Sequence, residues 1–255
     1  LVGSEMCIRD SLWKIILHAF ILPKRAHASA EKYRQIWTPQ GSPLQSGMAS
    51  LAHKLQASFN EQDKATLVRH GMSYGSPSIE QALNELKAEE CDELVVLSLY
   101  PQNALSTTGV VADKTLAALN ALDWHPQTKL VGYYSAHLLY LEAIAASIRA
   151  AGFDSSAGDK LLFAFHSIPV RDIRNGDDYE DKARATANAV ARLLELDVQD
   201  WALGFQCRFD KARSWLGPFI PEALQTLGAP RGRLFVVAPN FSIDCLETLY
   251  DIDIE

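Results

Sequence analysis

Apolar residues along this chain fall into short unbroken runs set between longer stretches in which they recur every three or four positions. The runs are Ala65 to Gly71 (ATLVRHG), Glu93 to Gln102 (ELVVLSLYPQ), Lys129 to Tyr134 (KLVGYY), Leu161 to Ser167 (LLFAFHS), Trp201 to Cys207 (WALGFQC) and Arg233 to Pro239 (RLFVVAP). Each has the length and continuity of a strand buried on both faces of a parallel sheet. Between them, Ala49 to Phe59, Ser78 to Glu89 and Glu180 to Leu194 carry helical spacing, with Ile79, Leu83 and Leu86 on one side of the second. Strands alternate with helices in both halves, which predicts an α/β fold of two doubly wound, Rossmann-like domains whose parallel sheets face a central cleft. The expected domains are 12–145 and 146–255, with the boundary inside a helix after Tyr140.

The run at Leu161 stops at His166-Ser167-Ile168-Pro169. Pro169 cannot donate to a ladder and biases Ile168 away from helix, so the chain turns there and leaves the imidazole at the rim of the sheet. Open α/β sheets hold ligands along that rim. A histidine capping a strand end and a histidine doing chemistry are both compatible with the position alone.

Charge narrows the classes of partner. A net charge of -7 supplies no basic face for phosphates, so nucleic acid is not expected as a partner. The four cysteines include no CxxC pair, which fits a reducing, cytoplasmic setting, and no cleavable signal peptide is evident. Leu12 to Leu22 (LWKIILHAFIL) is apolar but broken by Lys14 and His18, and it falls short of the roughly 20 residues a membrane span requires; a buried or lip helix is expected. Leu1 to Ser11 (LVGSEMCIRDS) reads as the translation of a transposase adapter used in sequencing libraries, and is expected to be an artefact that takes Cys7 with it.

Several motifs in order carry a family resemblance. They are Gly41-Ser42-Pro43, Met72-Ser73-Tyr74-Gly75-Ser76-Pro77, Leu99-Tyr100-Pro101-Gln102, Ser106-Thr107-Thr108-Gly109, His166-Ser167-Ile168-Pro169, Phe205-Gln206-Cys207-Arg208 and Asp244-Cys245-Leu246-Glu247-Thr248-Leu249. From about Leu12 to the last residue, the chain resembles ferrochelatase, the enzyme family that inserts ferrous iron into a porphyrin. The resemblance implies that His166 and Glu247 face each other across the porphyrin site as catalytic and metal-handling groups. It also implies that Arg25, Tyr33, Ser42 and Tyr100 line the tetrapyrrole mouth. A strand is expected before Leu12 and more chain after Glu255, so the sequence reads as an internal piece of a longer gene product. Two departures stand out: Ser73 occupies the place of a family arginine, and Cys207 that of a frequent serine. Trp215 matches a family tryptophan near the pocket; a core indole is the alternative.

Insertion of a metal into a porphyrin requires two pyrrole protons to leave while ferrous iron sheds its water. An imidazole can accept a proton or ligate iron briefly, and carboxylates can take the other proton or pass the metal on. If Asp244 to Glu255 is helical, Glu247, Asp251 and Glu255 form one acidic stripe. A guanidinium such as that of Arg25 can pair a propionate in bidentate fashion. Ferrous iron is expected as substrate, no cofactor is required by the sequence, and protoporphyrin IX and coproporphyrin III stay open as substrates, as do an iron–sulfur cluster, peripheral membrane association and oligomeric state. Leu67-Val68-Arg69-His70-Gly71 also resembles the phosphohistidine motif of histidine phosphatases, which keeps phosphoryl transfer through Arg69 and His70 as a rival. A tetrapyrrole-binding module without catalysis is the third reading.

Overall fold

A computed structural model of the chain describes residues 22–62, 64–206 and 213–254. Two compact units result, one made of the chain up to Ala49 together with Ile243 onward, the other of Ser50–Ser242. In the first, α1 (Leu22–Ile36) is followed by a tight turn in which Thr38 and Gly41 exchange backbone hydrogen bonds of 3.1 and 2.9 Å. Gly41 takes φ +99° there, a conformation that glycine adopts without strain. Then α2 (Pro43–Glu61) begins on a proline, as a helix start tolerates, and runs on into the second unit. A Cβ on Gly47 would lie 2.4 Å from Ile243 Cγ2, so only glycine lets the returning chain pass so near the helix.

The second unit holds both sheets. Ile79–Ala88 (α3), Glu93–Leu97 (β1), Val110–Ala121 (α4) and Gln127–Val131 (β2) form the first α/β layer, and β1 pairs β2 in parallel. Ser78 caps α3 through a reciprocal pair: its hydroxyl accepts from Gln81 N at 3.1 Å while Gln81 Oε1 accepts from Ser78 N at 2.7 Å. The core between helices and strands is Leu83, Leu94, Ala118 and Leu119, with Ile79 and Leu86 packed against it, as the spacing predicts.

The following layer is built from Leu138–Ala150 (α5), Lys160–Phe165 (β3), Val170–Arg174 (α6), Tyr179–Leu193 (α7), Trp201–Phe205 (β4), Ile220–Leu227 (α8) and Leu234–Val237 (β5). Its strand order is β4-β3-β5, all parallel, with β3 central. Leu161, Phe163 and Phe165 enter one large cluster with Leu141, Ala145 and Ile148 of α5 and Ala183, Ala187 and Val190 of α7. Leu162 and Ala164 are equally buried on the opposite side of the strand. On β4, a Cβ at Gly204 would come within 3.0 Å of Ile220 Cα and Ala223 Cβ, so the missing side chain is what seats α8 there.

Parallel pairing of the strands in both sheets and helices between them bear out the α/β expectation. Five of the six expected runs are strands. The exception is Ala65 to Gly71, which forms no ladder with the described residues. Two of its backbone groups are satisfied by a side chain: Gln56 of α2 donates to Thr66 O and accepts from Val68 N, both at 2.8 Å. The amide side chain can satisfy one donor and one acceptor without a neighbouring strand. The expected adapter segment Leu1 to Ser11, most of the expected lip helix and Cys207 lie outside the described residues.

Candidate active site

His166 stands where β3 opens into its loop, and the loop is tied down along its length. Gln206 N donates to Phe165 O at 2.7 Å, Ser167 Oγ to Leu216 O at 2.8 Å, Leu216 N to Ile168 O at 3.0 Å and Val170 N to Ser214 O at 2.9 Å. Pro169 and Trp215 form an antiparallel bridge, so Trp215 belongs to the strip that borders this loop. The imidazole itself is half-buried, with Nδ1 2.7 Å from the carbonyl oxygen of Ser167 and its ring edge-on to Phe241 at 6.5 Å. A carbonyl only accepts, so in the neutral ring Nδ1 carries the proton and Nε2 keeps its lone pair. In that form Nε2 is the ring nitrogen with the chemistry to accept a proton or ligate a metal.

Residues that sequence reasoning missed surround this position. Tyr179, at the start of α7, donates its hydroxyl to His166 O at 2.8 Å. Asp177 accepts from Tyr179 N at 3.0 Å and from Leu105 N at 2.8 Å, joining α7 to the loop after β1. Beyond β5, Tyr140 donates to Pro239 O, and the hydroxyls of Tyr134 and Ser242 meet at 2.8 Å. Burial pushes the phenols of Tyr134, Tyr140 and Tyr179 above the ordinary tyrosine value, so all three stay protonated donors. An Asp before a helix hints at a cap; nothing in the pattern says that the following tyrosine reaches back thirteen residues.

Tyr100 lies in the same unit, exposed in the turn after β1, where Pro101 O accepts from Tyr134 N at 3.2 Å and Ser135 N at 3.1 Å. The Ser106–Gly109 run sits in a wide helical turn (Leu105–Gly109) that leads into α4, and Thr107 Oγ1 accepts from Ala104 N at 3.1 Å, which is capping. At the Ser73 departure, the cation is Lys114: its ammonium donates to Ser73 O and lies 3.7 Å from the centre of the Tyr74 ring. Arg69 is paired with Glu85 at 2.8 Å. A cavity of about 500 Å³ opens at Gly75, Ser76, Ser78, Glu80 and Gln81, and none of the expected site residues lines it.

The first unit brings together Tyr33, Glu247 and Asp251. Burial, followed by the charge of Glu247, raises the Tyr33 phenol above its ordinary pKa. Lys32 of α1 pairs with Asp251 at 3.0 Å and lies 4.5 Å from the Tyr250 ring centre. Cys245 is buried, and desolvation together with the neighbouring Glu247 carboxylate pushes its thiol up to about 12. Ser42 is half-buried ahead of α2, its carbonyl accepting from Ser46 N at 3.0 Å. The long acidic helix is corrected: regular helix α9 covers only Leu246–Leu249, followed by turns to residue 254. Asp251 N reaches back five residues to Leu246 O at 3.2 Å, which widens the turn and breaks the four-residue stripe. Glu255 and the side chain of Arg25 lie outside the described residues.

The profile of the family described as Ferrochelatase matches residues 4–255. The chain belongs to the ferrochelatase family. A curated relative named ferrochelatase from Nitrosococcus oceani is 38% identical over 242 residues, which cover 94% of this chain and 66% of that protein. The chain therefore spans just under two thirds of the length of that ferrochelatase. Membership agrees with the parallel α/β architecture and with the motif order that the sequence carries. Among the described residues, no helix is long and apolar enough to cross a membrane.

Proposed function

We propose that the protein to which this chain belongs inserts ferrous iron into a porphyrin, protoporphyrin IX or coproporphyrin III, as a lyase of heme biosynthesis working in the cytoplasm. The observation that carries this reading is the ferrochelatase match over residues 4–255, and the state of His166 supports it. Its Nε2 is left with a free lone pair at the rim of a rigid strand, which suits removal of a pyrrole proton or brief ligation of the incoming metal. Glu247 would take the second proton or pass on the iron, and Arg25, Tyr33, Ser42 and Tyr100 would bind the tetrapyrrole. Tyr33 stays a neutral donor next to Glu247, so it can hydrogen-bond a propionate without adding negative charge. Ferrous iron is the substrate in this reading.

Phosphoryl transfer through Arg69 and His70 loses its footing. The guanidinium is already paired with Glu85, and the segment is not the strand such a site is built on.

The test is anaerobic addition of porphyrin and ferrous iron to the protein, followed through the Soret band. Wild type should convert the porphyrin, while His166→Ala should bind it with little change in affinity and convert at least about a hundredfold less, as loss of a general base entails. Equal conversion by the variant removes His166 from the mechanism. A static spectral shift without turnover in wild type leaves a binding module.

A further inference from the structure

We infer that Tyr179, set by Asp177 and Asn240, is a positioning residue that holds His166 with its proton on Nδ1 and Nε2 open to accept. The inference rests on reading His166 as the proton acceptor, but its own claim concerns the ring's tautomer and stands apart from turnover.

Tyr179 is only 4% exposed, and its hydroxyl is aimed at one particular carbonyl, that of His166, at 2.8 Å. The phenol oxygen of Tyr179 is itself met by the side chain of Asn240. A phenol has one proton to give, and a carbonyl can only receive it, so the Asn240 amide must be the donor in the second bond. Tyr179 is thereby oriented from the loop after β5, whose next residue, Phe241, presents its ring to His166. From the other side, Asp177 uses both carboxylate oxygens on backbone, one on Tyr179 N and one on Leu105 N. The phenol is thus held from α7, from the β5 loop and, through Asp177, from the loop that carries Tyr100.

The consequence falls on the peptide after His166. Tyr179 fixes its carbonyl, and the Ser167 hydroxyl, donating to Leu216 O at 2.8 Å, fixes the next residue. Next to these two anchors, the Ser167 carbonyl is kept 2.7 Å from Nδ1. Without the phenol hydroxyl the His166 carbonyl loses this donor, the adjoining Ser167 carbonyl is held less firmly against Nδ1, and the second neutral tautomer gains population. In the minor tautomer Nε2 carries the proton and cannot accept another.

Nitrogen-15 NMR of the histidine-labelled chain decides this, with His166 assigned by His166→Gln and spectra taken near pH 8, where an ordinary imidazole is neutral. Wild type should show His166 Nε2 in the unprotonated range and Nδ1 in the protonated range. Tyr179→Phe should move both toward the average of the two. Asn240→Leu gives the same readout should the tyrosine variant not fold, with a smaller displacement. In the Soret assay, Tyr179→Phe should lower kcat about five- to tenfold, the scale of one lost hydrogen bond, with KM for porphyrin within about twofold. A wild-type His166 protonated on Nε2, or variants whose nitrogen shifts equal those of wild type, overturn the inference. The expected shifts in a protein that shows no metal insertion would sink the proposed function and leave the tautomer clamp standing.

Discussion

The two sheets of Ser50–Ser242 arise from similar apolar runs, yet they differ in what the runs bury. In β3 every residue from Leu161 to Phe165 is buried, because α5 and α7 cover one face and α8 the other. Among the described residues, only one face of β1 is covered: Leu94 packs into the helical core, while Val95 and Leu97 are 64% and 48% exposed. A run of five apolar residues therefore does not say whether both sides will be covered; the number of layers around the strand does. The difference also sets the rigidity available to each loop. His166 follows the doubly covered strand and inherits a fixed backbone, whereas Tyr100 follows the half-covered one and is itself exposed.

The comparison can be broken first at its centre. Phe163 is fully buried and meets Trp201 edge-on at 5.6 Å, so Phe163→Ala should cost about 3–5 kcal/mol in denaturant unfolding. A loss below about 1 kcal/mol would mean that β3 is not the centre of the core.

Next is the stitch between β3 and β5. Asp159 accepts from Arg233 N at 2.6 Å and from its guanidinium at 2.9 Å. These bonds hold its carboxyl below the ordinary carboxylate pKa, so their contribution is present above about pH 4, where the unfolded carboxyl is ionised, and is lost as pH falls through the lower folded value. Asp159→Asn should lower the melting temperature by several degrees at neutral pH, and its gap from wild type should close as the solution is acidified below that point. A gap independent of pH would show that shape, and not charge, matters at this corner.

In the first layer the corresponding element is the α3 cap. Ser78→Ala removes one half of a reciprocal pair and should cost about 1 kcal/mol. The smallest effect is expected on the open face of β1, where Val95→Thr should stay within about 0.5 kcal/mol of wild type. If Val95→Thr instead destabilised the protein as strongly as Phe163→Ala, both faces of β1 would have to be covered in solution and the contrast between the sheets would vanish.

Five strands and the long helices were legible in the sequence because their spacing reports local burial, and Leu83 or Phe163 could be placed from neighbours alone. Ala65 to Gly71 was misread for the same reason. It has the apolar content of a strand, but Gln56, nine residues upstream of Ala65, supplies its backbone partners, and no periodicity encodes that. The Asp244 to Glu255 stretch has carboxylates at helical spacing as well as the alternation Asp-Ile-Asp-Ile, and the chain resolves the conflict by ending the regular helix at Leu249.

By itself the sequence determined the alternation of elements, the ferrochelatase motifs and the place of His166 at the end of a buried strand, because each of these depends on residue type and order along the chain. Tertiary structure decided that the described residues cover β3 on two faces and β1 on one. It also decided that Lys114 occupies the Ser73 loop while Arg69 is taken by Glu85, and that Asp177 and Asn240 meet Tyr179 while its hydroxyl reaches the His166 carbonyl. Those outcomes depend on which distant groups meet. A hydrogen bond is decided by a few tenths of an ångström between atoms that the chain brings together only after its helices have packed.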